Sequence, residues 1–475
     1  MTKNRVVEII LGKLLQIVIM LISIRCLTTY LNDENVGGYY LYNTIFTFWS
    51  LFCLNPLAQY YNCNINKWKD DGTVVNKLYI YILATVIVSF IALIVLYFLN
   101  DFNLYNSTTE MIIIVCLSIM FVNSNQNIIF LSNILNNNRF FVVSLVFTSL
   151  ISLFLSLLFL YLFGPSYINW VLGITIGNGL SLFYAIYFFK RKYRYNKKSY
   201  RIKYSNFKII FKFCIPISLA TFFMWGLNSG YRIYVDKYIG IDYLAYLAVG
   251  FGVSLQIMSV LESLTTQYFQ PEFYNGIKSE KISDRVKNIE GYIDNVLGVY
   301  LPVVLFIFCY IKYIFPLLIS ANFSSSLNVV YVAIIIDFFR VITNAVSLIA
   351  QSENKTKLLS IPYISGLTFF IISIVFLSFI AIGHVGIVFP FVLLISFLIV
   401  FIVMFFIMKN VTSFRINYKL LFKKVIIIIP ASLPVLLFDY TYGVSIENIF
   451  VLFSGSLIFL LCIWIGYSRG FYAKN

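Results

Sequence analysis

The chain has 475 residues, of which 60% are hydrophobic and 11% are charged, and its formal net charge is +16. A soluble protein of this length carries charge on about a quarter of its residues. The composition therefore excludes a water-soluble protein and predicts a polytopic membrane protein. In such a chain the position of the positive charge along the sequence matters more than its total, and we predict no nucleic-acid partner.

Apolar segments long enough to span a bilayer, which takes about 20 mostly apolar residues, occur throughout the sequence. They predict an all-α polytopic membrane protein with 14 transmembrane helices, at residues 9–31, 39–62, 77–99, 110–135, 140–163, 167–189, 209–231, 243–270, 291–314, 327–350, 357–382, 385–408, 420–440 and 446–467. The first segment lacks a small-residue cleavage site, so we interpret it as a retained span rather than a signal peptide.

The positions of Lys and Arg predict the orientation of these spans. If the N-terminus is cytoplasmic, 29 of the 35 basic residues fall in inner segments and only three in outer ones. Such an inner excess is the rule for membrane proteins, and one missed span would invert every later loop. We therefore predict that both termini are cytoplasmic. The most basic inner loop, Lys190–Lys208, is either an anchor at anionic lipid or an entry funnel for an anionic substrate.

Two blocks of the sequence resemble each other. After the first span comes "RCLTTYLNDENVGGYY" (Arg25–Tyr40), and at the end of the seventh comes "YRIYVDKYIGIDYLAYL" (Tyr231–Leu247). In each, an Arg is followed by a Tyr, an aliphatic residue, a short turn and a further Tyr. This repeat predicts two six-helix lobes, at residues 1–200 and 201–412, with two added spans in 413–475.

Arginine residues at membrane depth are the first candidates for function, because charge there is costly and is usually functional. Arg25 lies in the first span, Arg232 ends the seventh, and Arg340 lies near the middle of the tenth. A guanidinium group stays protonated and forks onto phosphate oxygens. A water-filled cavity lined by these three groups would suit a pyrophosphate.

Acidic side chains accompany the arginines. Asp337, Arg340 and Asn344 are spaced to share one helix face. Asp337 therefore either forms a permanent ion pair with Arg340 or holds it until an anionic substrate competes. Asp337, Glu262 and Asp294 are candidate sites for proton or sodium coupling, although the last two could be partly hydrated interfacial acids.

The fourth predicted span carries the amide-rich stretch "NSNQN", Asn123–Asn127. Its asparagines, Asn123 and Asn127 among them, could bind sugar hydroxyls. They could equally hold helices together, for about 1 kcal/mol each. Neither interpretation is preferred by the sequence.

Residues for covalent chemistry are sparse. The sequence has a single His, His384, and no phosphate-binding G-x-x-x-x-G-K-[ST] motif. No Ser/His/Asp set can be assembled without that one residue. We therefore predict that the protein is not an enzyme and needs no cofactor or metal.

Taken together, these features resemble the polysaccharide repeat-unit (O-antigen type) flippases of the multidrug/oligosaccharidyl-lipid/polysaccharide exporter superfamily. The resemblance covers nearly the whole chain and rests on its length, its fourteen spans and the two repeated blocks. It implies two six-helix lobes in a V, two added helices at the side, and a cationic central cavity. Members often have Asp-Arg where this chain has Tyr231-Arg232, so an acid is missing there.

The resemblance also implies a substrate and partners. The substrate would be a polyprenyl-pyrophosphate carrying a short oligosaccharide. The protein would move it from the inner to the outer leaflet of a bacterial cytoplasmic membrane, for O-antigen or lipopolysaccharide synthesis. A glycan polymerase and a chain-length regulator would be partners in the same membrane.

Two other functions are compatible with the hydropathy. A membrane glycan polymerase or ligase typically carries a large outer loop, whereas the largest loop predicted here is an inner one. A cation-drug exporter of the same superfamily usually has twelve spans and acidic residues in its cavity. The sequence favours the flippase over both.

Overall fold

The computed structural model describes residues 3–101, 108–135, 137–193, 204–276, 281–353, 355–380, 385–438, 440 and 443–468. Cα packing divides the chain into two compact units, unit 1 (Met1–Ala245) and unit 2 (Tyr246–Asn475). Within the described ranges every regular element is helical, so the predicted all-α class is confirmed. His384 and part of the basic loop Lys190–Lys208 lie outside the described residues.

The helices follow one another along the chain with short connections. They are α1 (Lys3–Tyr30), α2 (Asp33–Trp49), α3 (Asn55–Asp70), α4 (Val74–Asp101), α5 (Thr109–Ile134), α6 (Asn138–Phe163), α7 (Tyr167–Lys192), α8 (Tyr204–Trp225), α9 (Tyr231–Tyr238), α10 (Ile241–Gly276), α11 (Ile282–Leu318), α12 (Leu327–Ser352), α13 (Ser360–Ile380), α14 (Val385–Thr412), α15 (Tyr418–Ile426), α16 (Leu433–Leu437) and α17 (Ile446–Ser468). Short π-helical turns occupy Ser50–Leu54 and Gly226–Gly230, and 3-10 turns occupy Ala321–Ser326, Thr356–Leu359 and Ile429–Ser432.

Twelve helices in the described residues are long and apolar enough to cross a membrane, and they coincide with predicted spans 3 to 14. The first predicted span contains a shorter apolar helix, Leu15–Tyr30. The second, 39–62, is helical, but a π-helical turn interrupts it and polar residues follow in α3. The prediction of a multi-pass membrane protein is thus confirmed. The count of fourteen, the cytoplasmic termini, the V shape and the divisions at residues 200 and 412 stay predictions.

The two repeated blocks form similar turns in unit 1. Two residues separate α1 from α2, and two residues separate α9 from α10. Asn32 begins the first of these second helices, since its side chain accepts a hydrogen bond from the backbone N–H of Asn35 at 3.1 Å. Gly240 begins the other with a φ of +126°, a conformation that glycine adopts readily. The turns agree with the repeat seen in the sequence.

Both π-helical turns lie where α2 packs against α8. A π-helical turn misaligns backbone carbonyls, and within a membrane these groups need other partners. Trp225 Nε1 donates to the carbonyl oxygen of Thr44 at 3.1 Å, and the Thr221 hydroxyl donates to that of Leu51 at 3.1 Å. The ring of Phe48 lies 4.9 Å from that of Trp225. Side chains of α8 therefore bond one carbonyl of the π-helical turn, that of Leu51, and one carbonyl of α2 before it, that of Thr44.

Neutral polar side chains join the other helices of unit 1. Ser118 and Thr175 share a hydrogen bond of 2.7 Å between α5 and α7, and Thr85 and Ser124 share one of 2.8 Å between α4 and α5. All four side chains are buried. Such interhelical bonds contribute about 0.6 to 2 kcal/mol each in a bilayer.

Small residues bring α6 and α7 close together. Gly173 and Gly177 are four residues apart on α7 and face Ser156 and Ser152 of α6. A Cβ atom at Gly173 would lie 2.3 Å from the backbone nitrogen of Ser156, and one at Gly177 would lie 2.7 Å from the Cα of Ser152. This spacing of small residues is the common solution for tightly packed membrane helices.

We expect Gly173→Ala to destabilise the protein by about 1–3 kcal/mol, because the added methyl group overlaps backbone that has no room to move. Gly291→Ala is the matched control, since a Cβ atom there meets nothing within 4 Å. The control should keep or raise the melting temperature, because alanine is the better helix former. Thermal unfolding of the purified proteins in detergent checks this, and equal melting temperatures would contradict the packing.

Candidate functional site

A cluster of polar side chains lies within the apolar part of unit 2. On α12, the Nε atom of Arg340 donates to Asp337 Oδ1 at 2.8 Å. On α10, the Ser254 hydroxyl donates to Asp337 Oδ2 at 2.6 Å. Both carboxylate oxygens of Asp337 are thus occupied. The side chain of Asp337 is 7% exposed and that of Arg340 is 17% exposed, so the pair is shielded from water.

The cluster continues along the same two helices. Asn344 of α12 donates from Nδ2 to Glu262 Oε1 of α10 at 2.8 Å. The Tyr363 hydroxyl of α13 makes a long contact of 3.5 Å with Asn344 Oδ1. Next to Glu262 on α10, Thr265 shares a hydrogen bond of 2.7 Å with Tyr300 of α11. These residues form the polar cluster, whose members come from four helices of unit 2: Ser254, Glu262, Thr265, Tyr300, Asp337, Arg340, Asn344 and Tyr363.

Helical spacing explains how the cluster forms. Ser254 and Glu262 are eight residues apart on α10, while Asp337 and Asn344 are seven apart on α12. Each pair falls on one face of its helix, because an α-helix has 3.6 residues per turn. Ser254 meets Asp337 and Glu262 meets Asn344, in the same order along both helices. The two helices therefore run in the same direction, as expected when α11 crosses back between them.

The charges in the polar cluster do not balance. Glu262 and Asp337 supply two carboxylates, whereas Arg340 supplies one guanidinium. A charged side chain taken out of water is tolerated only when it is paired or hydrogen-bonded. The second carboxylate, that of Glu262, is held by the amide of Asn344 and not by a counter-charge.

One hydrogen-bond donor of Arg340 lacks an acceptor among the described residues. Its Nη2 atom is buried and has no hydrogen-bond partner among the described residues. A buried donor without a partner costs about 1–3 kcal/mol, and more when it is charged. Within the described part of the chain, Nη2 is therefore the unsatisfied donor of this ion pair.

The other predicted arginines lie in unit 1. Arg25 is partly buried on α1, and its carbonyl oxygen accepts hydrogen bonds from the Thr28 and Thr29 hydroxyls at 3.2 and 2.7 Å. Arg232 is 5% exposed, with its guanidinium carbon 5.2 Å from the centre of the Tyr40 ring and 5.7 Å from that of Tyr231. This stacking between tyrosines stabilises the packing of α9 on α2. Roles for Arg25 and Arg232 in a cavity stay predictions.

The amides of α5 are mostly engaged in helix packing. Asn123 donates from Nδ2 to the Ser50 hydroxyl at 3.0 Å, and Asn125 donates to Asn178 Oδ1 at 3.1 Å. Asn127 is buried at 6% exposure, and its Nδ2 has no hydrogen-bond partner within the described ranges. These contacts favour the structural interpretation of the "NSNQN" stretch, although sugar binding by Asn123 and Asn127 stays a prediction.

Asp294 lies apart from the polar cluster. Its Oδ1 atom accepts a hydrogen bond from the backbone N–H of Asn417 at 3.0 Å, in the linker between α14 and α15. One turn earlier on α11, Glu290 accepts one from the backbone N–H of Arg415 at 2.8 Å. Lys424 of α15 is buried beside Asp294. Asp294 thus helps attach α15 to α11, and its role in coupling stays a prediction.

Sequence reasoning missed four members of the cluster, Ser254, Thr265, Tyr300 and Tyr363. Ser254 lies eight residues before Glu262, so a search for polar residues on the same face of α10 could have found it. Tyr363 carried no signal, because the chain has 36 tyrosines and nothing distinguishes this one. Partners on different helices cannot be assigned from spacing alone.

The fold and the buried charges define a multi-helix membrane protein. The polysaccharide biosynthesis protein family matches residues 3–273, more than half of the chain, and the chain belongs to this family. No curated protein sequence matches it.

Solved structures of membrane transporters share the fold. The lipid II flippase MurJ in an inward closed conformation has a TM-score of 0.64 at 16% identity, covering 98% of this chain and 99% of that one. An outward-facing multidrug resistance MATE family transporter of the MOP superfamily has 0.54 at 13% identity, covering 86% and 94%. A MOP superfamily transporter from Pyrococcus furiosus, described as having a binding pocket of reversed polarity, has 0.54 at 12%, with the same coverage. At these identities the likeness shows the fold alone.

We expect Arg340→Gln to destabilise the protein by about 3–5 kcal/mol, because it leaves the buried Asp337 carboxylate without its counter-charge. The double variant Asp337→Asn/Arg340→Gln removes both charges and should recover most of the lost stability. Thermal unfolding of the purified variants measures both effects. An Arg340→Gln protein as stable as the natural one would show that the ion pair is not buried in the membrane.

Proposed function

We propose that this protein flips polyprenyl-pyrophosphate-linked oligosaccharide units from the inner to the outer leaflet of the bacterial cytoplasmic membrane by alternating access. Its membership of the polysaccharide biosynthesis protein family and a fold in common with a lipid II flippase support this. The observation that carries the proposal is the buried Nη2 of Arg340, a charged donor without a partner at membrane depth.

In the proposed mechanism, Asp337 holds Arg340 while no substrate is bound. A pyrophosphate oxygen then accepts a hydrogen bond from Nη2. The pyrophosphate competes with Asp337 for the guanidinium, because charge-assisted hydrogen bonds between Arg and phosphate are strong and often bidentate. Arg25 is the proposed second cation for the pyrophosphate. Asparagine amides, of which Asn344 is the best placed in unit 2, contact the sugars.

In this proposal, the energy for transport depends on the negative charge of the pyrophosphate that crosses the membrane. An inside-negative potential favours outward movement of an anion by about 2.3 kcal/mol per charge per 100 mV. The polar cluster has two carboxylates, Glu262 and Asp337, for the one guanidinium of Arg340. These two acids are the proposed sites for a coupling proton or sodium ion, and Asp294 is a further candidate. A glycan polymerase and a chain-length regulator are the proposed partners, and the protein itself catalyses no covalent step.

We expect Arg25→Ala and Arg340→Ala each to lower surface glycan at least tenfold, because a lost hydrogen bond to a charged group costs about 1.5–3 kcal/mol. Arg415→Ala is the matched control. Its backbone N–H keeps the bond to Glu290, and its side chain is exposed. Surface glycan is measured by gel and lectin blot, with the amount of inserted protein as reference. Normal glycan in both membrane-depth variants would remove the proposed role of the arginines.

A cation-drug exporter is the second candidate, because the polar cluster holds two carboxylates for one guanidinium and the MATE transporters share the fold. A deletion strain separates the two functions. We expect it to accumulate lipid-linked oligosaccharide on the cytoplasmic side, with unchanged sensitivity to cationic drugs. Increased drug sensitivity with normal glycan would favour the exporter.

A further inference from the structure

A groove in unit 2 lies where the linker between α14 and α15 passes α11. Its volume is about 740 Å³, within the range of roughly 300–1,000 Å³ that pockets for small ligands occupy. The walls come from α11, α14 and α15, and include Leu297, Leu301, Phe401, Phe405 and Phe422. Apart from Tyr418 and Lys419, every lining residue is apolar.

The polar end of the groove lies where one candidate span ends and the next begins. Tyr418 and Lys419 begin α15, directly after the five-residue linker that joins two candidate spans. Both side chains are exposed, and within the described residues no carboxylate lies within salt-bridge distance of Lys419. Lys423 follows one turn later on the same face of the helix. An aromatic ring beside lysines is typical of the headgroup level of a membrane.

The nearby acids do not line the groove. Glu290 and Asp294 lie on α11, where each accepts a backbone N–H of the linker, from Arg415 and Asn417 respectively. The groove thus combines a long apolar wall with one cationic end. No amide or carboxylate that could recognise a sugar lines it.

We propose that this groove binds an anionic phospholipid. One acyl chain lies along the leucine and phenylalanine wall, and the phosphate lies at the Lys419 ammonium. Basic pockets between transmembrane helices bind anionic headgroups in this way. The lipid packs between α15, α11 and α14, and so helps attach the α15 segment to the rest of unit 2. The proposal is independent of the transport function.

Native mass spectrometry of the full-length protein, titrated with phosphatidylglycerol or with phosphatidylcholine of the same chains, tests the proposal. We expect phosphatidylglycerol to bind about fivefold more tightly, the factor that one lysine near an anionic headgroup supplies. Lys419→Gln should abolish this preference. Lys409→Gln, an exposed lysine at the same end of α14 that does not line the groove, should keep it.

A second variant tests the apolar wall. Leu301→Phe fills the groove without changing its charge, and should weaken binding of both lipids at once. Equal binding of the two lipids to the natural protein, or an unchanged preference in Lys419→Gln, would overturn the proposal. Displacement of phosphatidylglycerol by a lower concentration of polyprenyl pyrophosphate would assign the groove to the substrate lipid instead. None of these outcomes depends on transport activity.

Discussion

The interior of a bilayer offers no hydrogen bonds, so each polar group at membrane depth must find its partner within the protein. This constraint explains most of the tertiary contacts described above. The buried Asp337 carboxylate is held by Ser254 and Arg340 together. Even the backbone follows the rule, because side chains of α8 bond carbonyl groups beside the π-helical turn of the second span.

Two kinds of polar contact satisfy this constraint. Neutral hydroxyls and amides close on one another in unit 1, as in Ser118 with Thr175 and Asn125 with Asn178. Charged groups are buried in both units, because Arg232 of unit 1 stacks on Tyr40 and Asp337 of unit 2 pairs with Arg340. The ion pair leaves the Nη2 donor of Arg340 without a hydrogen-bond partner among the described residues.

Carboxylates of unit 2 have two kinds of partner. Glu290 and Asp294 lie at the linker end of α11, where they bond backbone N–H groups and hold α15 in place. Asp337 lies in an apolar environment, where only a full counter-charge and a hydroxyl together offset its burial. Carboxylates of this protein thus attach one segment to another through backbone N–H groups in one place and form an ion pair in another.

Local features of the sequence were enough to predict the all-helical class, the positions of spans 3 to 14 and the shared face of Asp337, Arg340 and Asn344. Each depends on hydropathy or helical periodicity, which act over a few residues. The structure of the second span was harder to predict from the sequence, because its π-helical turn and polar end depend on the helix packed against it.

Tertiary structure alone decided the partners. Glu262 meets Asn344 from 82 positions away, Arg232 stacks between Tyr40 and Tyr231, and Asn125 bonds a residue of α7. The sequence determined which groups could not remain unpaired in lipid, because the cost of burial belongs to each residue. Which partner each of these groups finds depends on how the helices pack, and helix packing is a property of the whole bundle.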